Sequence, residues 1–198
     1  LYLPPGIAHH GIALDPCVTC SVGFRAPSAA DLTLGLGEWL ADQPGDGGRY
    51  RDPPLSAEHA TGEIEAASLD AFRQVLARSL DDESDLATFI GQFMSRFRQA
   101  HEPLPTPSAA AASTLERALD STRNTTTHWV THPWARFAWV RIDEQSARLF
   151  ASGRKHRCTP AFAEWVCRGA GSLPVPGPID LSCLEQLARS GHLIPEHA

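Results

Sequence analysis

Residues 1–27 read LYLPPGIAHHGIALDPCVTCSVGFRAP. Pro4, Pro5 and Gly6 make a tight turn, because proline presets φ and glycine tolerates the turn's unusual backbone. Residues 7–14 then read as a strand, Asp15-Pro16 as a turn and residues 17–24 as a second strand. Two strands alone are not independently stable in water, so their partners are expected upstream of this stretch. His9 and His10 enter the first strand directly after the turn. Adjacent strand residues face opposite ways, so at most one of the two rings points into a given cavity. A strand histidine in that position is either a metal ligand or a hydrogen-bonded residue of core or surface, and the spacing leaves both open. On the second strand Thr19 and Ser21 share one face and Val18, Cys20 and Val22 the other. Two hydroxyls on one face can bond a carboxylate of a ligand or satisfy nearby backbone groups.

The rest of the 198-residue chain is consistent with one large or two small domains, and 42% hydrophobic residues suffice for real cores. The apolar residues come in short periodic runs, far from the roughly 20 consecutive residues of a membrane helix. The first residues lack the basic region and cleavage site of a signal peptide. Net charge is −6, divided unevenly: residues 1–125 hold 9 Arg/Lys against 17 Asp/Glu, and residues 126–198 hold 8 against 6. Neither part has the basic stripe of a dedicated nucleic-acid binder. Five cysteines are an odd number in a chain without an export signal, which points to a reduced, cytoplasmic protein. Cys17 and Cys20 have C-x-x-C spacing, but no second pair completes a zinc ribbon, and residues three apart in a strand face opposite ways. Two core cysteines are the expectation.

Downstream, Ser28 with Asp31 reads as a capping box for a helix whose Leu32, Leu36, Trp39 and Leu40 share a face. Ser68 reads as the cap of a second helix carrying Leu69, Phe72, Leu76 and Leu80. Leu86, Phe89, Ile90, Phe93 and Phe97 mark a third, with a stripe suited to a helix–helix core or a subunit interface. Residues 101–108, with three prolines, read as a linker. Ser113 and Glu116 then have capping-box spacing. Residues 134–142 and 147–151 read as paired strands around Asp143-Glu144, residues 159–168 and 179–190 as helices, Gly191 as a C-cap and Leu193-Ile194 as a brief strand. Short helices with a small ribbon suggest a winged-helix-like domain. Its last helix has only Arg189 as a basic residue, beside Asp180 and Glu185, which argues against specific reading of DNA.

Residues 2–11, Tyr-Leu-Pro-Pro-Gly-Ile-Ala-His-His-Gly, followed by Ser-Val-Gly-Phe-Arg-Ala-Pro at 21–27, resemble the ribosomal oxygenase family. These are cupin-fold, JmjC-type proteins dependent on Fe(II) and 2-oxoglutarate, and the bacterial branch hydroxylates an arginine of a large-subunit (50S) ribosomal protein. The resemblance implies an α+β chain: residues 1–27 as the last strands of an incomplete cupin jelly-roll barrel, 28–105 as a helical dimerisation region and 106–198 as the winged-helix-like domain. It implies that His9 is the later histidine of a two-histidine, one-carboxylate facial triad, with His10 facing away. If their face lines the cavity, Thr19 and Ser21 can bond a 2-oxoglutarate carboxylate, with local backbone groups as the alternative partners, and Thr19 departs from the asparagine that relatives tend to carry there. Arg25 lies past the strand's end and fits a structural salt bridge better than a carboxylate clamp. No His-x-Asp occurs in the chain, and a jelly roll takes about eight strands where two are read here. The expectation is therefore the C-terminal part of a longer dioxygenase, inactive by itself, with no catalytic side chain of its own, a homodimer, and a ribosomal protein as substrate. The alternative is a non-catalytic dimerisation and winged-helix module that binds a protein partner.

Overall fold

The computed structural model describes residues 2–4, 6–18, 20, 26–44, 48–56, 58, 60–96, 109–123, 125–173 and 175–196. Its elements run α1 (Ala29–Ala41), α2 (Ala66–Arg78), α3 (Glu83–Ser95), α4 (Ala109–Thr122), β1 (Thr127–Thr131), β2 (Phe137–Arg141), β3 (Ala147–Ala151), β4 (Arg154–Cys158), α5 (Pro160–Cys167), β5 (Ala170–Leu173), α6 (Pro178–Arg189) and β6 (Leu193–Pro195). Two antiparallel sheets result, β5-β1-β6 and the meander β2-β3-β4.

Local chemistry sets most helix starts. Ser28 Oγ accepts from Asp31 N at 3.1 Å while Asp31 Oδ2 accepts from Ser28 N at 2.9 Å, the reciprocal box expected for α1. Thr159 caps α5 ahead of Pro160, and its hydroxyl and amide both donate to the Asp180 carboxylate of α6. Two expected starts move. α2 begins at Ala66 rather than after Ser68, with Glu65 as its N-cap in extended conformation. α4 begins at Ala109, upstream of Ser113, because the alanine run at 109–112 carries high helix propensity and extends the helix backwards. The linker expected at 101–108 lies outside the described residues, as does Phe97.

The expected ribbon is present as β2 and β3, but a third strand follows. Ser152 (φ 47°) and Gly153 (φ 83°) form a two-residue turn with both residues in the left-handed region, so the chain folds straight back into β4. β3 then divides its side chains between two environments. Ala147, Leu149 and Ala151 enter the main core with Trp129, Phe162, Val166, Leu184 and Leu187. Arg148 and Phe150 point to the opposite face, where α3 lies.

That second face explains the aromatic stripe of α3. Phe89 and Phe93 are buried against Trp39, with Leu32, Leu36, Leu40 and Leu86 around them. The stripe is thus consumed within the chain, while Ile90 stays partly exposed. Gly91 meets Phe150: a Cβ there would fall 2.2 Å from the ring. Around this contact the polar groups interlock. Gln92 Nε2 donates to Gly153 O (2.8 Å), its Oε1 accepts from Trp39 Nε1 (2.9 Å), and Gly153 N donates to Ser95 Oγ (3.0 Å). Arg148 donates to Ser84 O at 3.3 Å and to Thr88 Oγ1.

Gly91→Ala should therefore destabilise the protein by about 1–3 kcal/mol or more, since a methyl cannot share space with the Phe150 ring. Gly37→Ala in exposed α1, where an added Cβ meets nothing within 4 Å, should instead be neutral or stabilise by up to about 1 kcal/mol. Urea unfolding of both variants beside the wild type checks the pair; equal behaviour would remove the seam from its structural role.

Candidate functional site

The histidine segment begins with the expected turn. Ile7 N donates to Pro4 O at 3.4 Å and Gly6 sits at φ 79°. The strand expected over residues 7–14 is not formed: residues 7–13 have no regular element, and a bend occupies 14–16 around Asp15. The described residues of the second expected strand, Cys17, Val18 and Cys20, are not in a strand either. The reason is physical. Strand amides and carbonyls need a neighbouring ladder, and none of the described strands pairs with this segment. Its apolar side chains are likewise unpacked, with Leu14 95% and Val18 90% exposed.

His9 is exposed, and its Nδ1–H donates to the Ile7 carbonyl at 3.2 Å. That bond selects the tautomer whose Nε2 lone pair is free and directed outward, the arrangement that metal-binding imidazoles use. His10 is exposed as well. Thr19, Ser21 and Arg25 lie outside the described residues. Cys17 and Cys20 are exposed free thiols rather than core residues, a correction that follows from the missing strand. No group of three or more His, Cys, Asp or Glu able to hold a metal occurs among the described residues. His9 therefore fits one position of a metal's donor set and no more.

Titratable groups that sequence reasoning missed lie in the C-terminal core. His156 on β4 sits opposite Leu149, and its Nδ1 pairs with Gln186 Oε1 at 2.9 Å. His192 is buried beside it, with Nδ1 on Ser190 Oγ at 2.7 Å. Both Nε2 atoms are buried without a hydrogen-bond partner. Burial holds the His192 imidazole down to about 4, helped by the positive fields of His156, Arg154 and His132. Burial also lowers His156, partly offset by Gln186. The Ser152-Gly153 dipeptide was the available signal, since a turn there places residues 154, 156 and 158 on the core face of Leu149. Two thiols of this region are pushed up: contact with Cys158 and burial raise Cys183 far above its usual range, and partial burial raises the exposed Cys167 to about 11.

Residues 1–32 match the model of the JmjC domain. A ribosomal protein uL16 3-hydroxylase of Escherichia coli is 28% identical over 105 residues, 53% of this chain and 28% of that protein. A probable ribosomal oxygenase of Haemophilus influenzae is 31% identical over 96 residues, 46% of this chain and 24% of that protein. Over these stretches the chain is similar to ribosomal oxygenases. Its fold agrees with theirs: YcfD, a ribosomal oxygenase from Escherichia coli solved with cobalt and 2-oxoglutarate, superposes with a TM-score of 0.66 at 20% identity. That match covers 89% of this chain and 48% of YcfD, so the mixed helical and antiparallel-sheet architecture is shared along most of the length seen here. The chain thus spans about a quarter of the length of the curated relatives it matches. No helix among its described residues is long and apolar enough to cross a membrane.

The two buried imidazoles predict a pH dependence. His192 is neutral in the fold down to about pH 4, whereas an unfolded histidine protonates near 6.5, so protons bind preferentially to the unfolded chain in between. Stability should be full above pH 6.5 and fall by roughly 2–3 kcal/mol as pH drops toward 4.5. Urea midpoints from pH 7.5 to 4.5 measure this, and His192→Asn should flatten the slope.

Proposed function

We propose that the chain is a portion of an Fe(II)- and 2-oxoglutarate-dependent oxygenase that hydroxylates an arginine of a 50S ribosomal protein. The observation that carries this is the match of residues 1–32 to a JmjC domain over the stretch that contains His9. The 2-oxoglutarate and cobalt bound by YcfD support the cofactor pair, cobalt standing where Fe(II) would. His9 is the metal ligand offered by this chain, through the Nε2 that its Nδ1–H···Ile7 bond leaves free. Thr19 and Ser21 contribute hydroxyls to the co-substrate carboxylate. The iron supplies oxygen activation when bound; the part of this chain is to hold one imidazole in the correct tautomer. The remaining donors come from a His-x-Asp pair that this sequence does not contain.

Two outcomes follow. The chain alone should bind Fe(II) weakly and form no succinate from 2-oxoglutarate; stoichiometric iron uptake with coupled turnover would overturn the assignment. In a longer polypeptide that supplies the missing pair, His9→Ala should abolish succinate formation on the ribosomal protein while His10→Ala leaves most of it, because paired strands alternate their side chains. The reverse result would move the register by one residue. Loss of neither would favour a non-catalytic module that binds a protein partner.

The remaining 28–198 region fits a homodimerising helical part joined to a winged-helix-like part, in the cytoplasm. The aromatic stripe of α3 no longer motivates the dimer. The exposed face of α2 does, with Leu69, Phe72 and Leu76 between 47% and 69% exposed. Multi-angle light scattering at tens of micromolar should give a dimer, and Leu69→Asp with Leu76→Asp should give a monomer. Arg189 of α6 is held by both Glu116 oxygens (2.5 and 3.2 Å), which takes it away from base edges and supports the absence of specific DNA binding.

A further inference from the structure

A cleft of about 580 Å³ lies between α2 and the extended segment that precedes it, far in sequence from the histidine turn. One wall is the helix face of Ala71, Gln74, Val75 and Arg78, residues at i, i+3, i+4 and i+7. Ala71 and Val75 form a half-buried floor. The other wall is the stretch Arg49-Tyr50-Arg51, which Gly48 enters at φ 72°. Tyr50 stacks on Phe72 of α2 with ring centroids 4.0 Å apart and planes 5° from parallel. That stack pins the segment to the helix and so keeps Arg49 and Arg51 at the cleft.

Three arginines therefore line one small cavity, and no acidic residue is among its lining residues. Arg78 Nε donates to Gln74 O at 3.2 Å, which steadies its side chain along the helix. Arg49 and Arg51 have no hydrogen bond or ion pair among the described residues. The arrangement is unusual in its surroundings: residues 1–125 hold only 9 basic against 17 acidic residues. Like charges gathered without a counter-charge repel one another, and an anion relieves that repulsion. The arginine fork matches phosphate geometry, and several forks converge better on a phosphate's oxygens than on a single carboxylate. The volume exceeds that of a lone ion and falls in the range of small-ligand clefts.

We propose that this cleft binds a phosphate-bearing ligand, with Arg49, Arg51 and Arg78 as its phosphate contacts and Tyr50 as the residue that positions two of them. The phosphate can belong to a free polyphosphate or to a single-stranded RNA backbone. Isothermal titration of the full chain with pyrophosphate and, separately, with a short oligouridylate distinguishes the two. At least one probe should bind in the micromolar to low-millimolar range and weaken as salt is raised. Arg49→Ala with Arg51→Ala should lower that affinity tenfold or more, and Arg78→Ala should lower it severalfold. Arg73→Ala should leave it unchanged, because Arg73 is paired with Asp70 at 2.5 Å and does not line the cleft. Pyrophosphate alone showing this dependence assigns a free phosphate ligand, and oligouridylate alone assigns RNA. Binding of neither probe, binding indifferent to the arginine variants, or tighter binding of a polyglutamate peptide than of both probes would overturn the proposal. Circular dichroism of each variant confirms that the exposed substitutions leave the fold intact.

Discussion

The ring of Phe150 over Gly91 is the contact on which the arrangement of the chain depends. Only a residue without a side chain lets α3 approach the β2-β3-β4 sheet this closely. Once α3 is there, strand alternation brings Arg148 onto the same face, two residues from Phe150, and its guanidinium meets Ser84 and Thr88 near the start of α3. At the other end the tight Ser152-Gly153 turn is tied to Gln92 and Ser95. The β3-β4 hairpin is therefore held along α3 at three levels, one apolar and two polar. The helix gains a buried face, and the sheet is covered on both sides by α3 and by the core around Leu149.

Elements whose signals are local were legible in the sequence. The Ser28 box, the Thr159-Pro160 start of α5, the α6 helix, which ends at Arg189 with Ser190 rather than Gly191 as its C-cap, and the β2-β3 ribbon all rest on residues within a few positions of one another. β4 was not legible, because Arg154, Lys155, His156 and Arg157 carry almost no apolar alternation. The strand exists through a two-residue turn and an already committed partner strand. The use of the α3 stripe was also hidden: Phe89 and Phe93 show the period of a buried helix face, but a period does not say whether the cover comes from the same chain.

The candidate metal segment is the reverse case. Its turn was readable from Pro-Pro-Gly, and the Ile7 N–Pro4 O bond forms it, whereas the pattern alone left the role of the following histidine open and His9 was singled out through the family resemblance. Its secondary structure was not readable, because strand formation belongs to a sheet and not to a segment. Ile7, Ile12, Leu14 and Val18 have the composition of strands and remain exposed without a ladder to join.

Chemistry and packing are consequently separated along this polypeptide. The C-terminal core contains imidazoles held neutral and thiols held protonated, groups disarmed by the burial that makes them stabilising. His9, by contrast, is exposed, with its Nδ1 on the Ile7 carbonyl. The capping box fixes the start of α1 at Ser28, and the Trp39–Gln92–Gly153 relay fixes α1 against α3 and the hairpin turn. The placement of α1 is thus set by the same seam that Phe150 and Gly91 create. A loosened seam would therefore displace α1 together with α3, so the packing of the C-terminal sheet reaches the first helix of the chain.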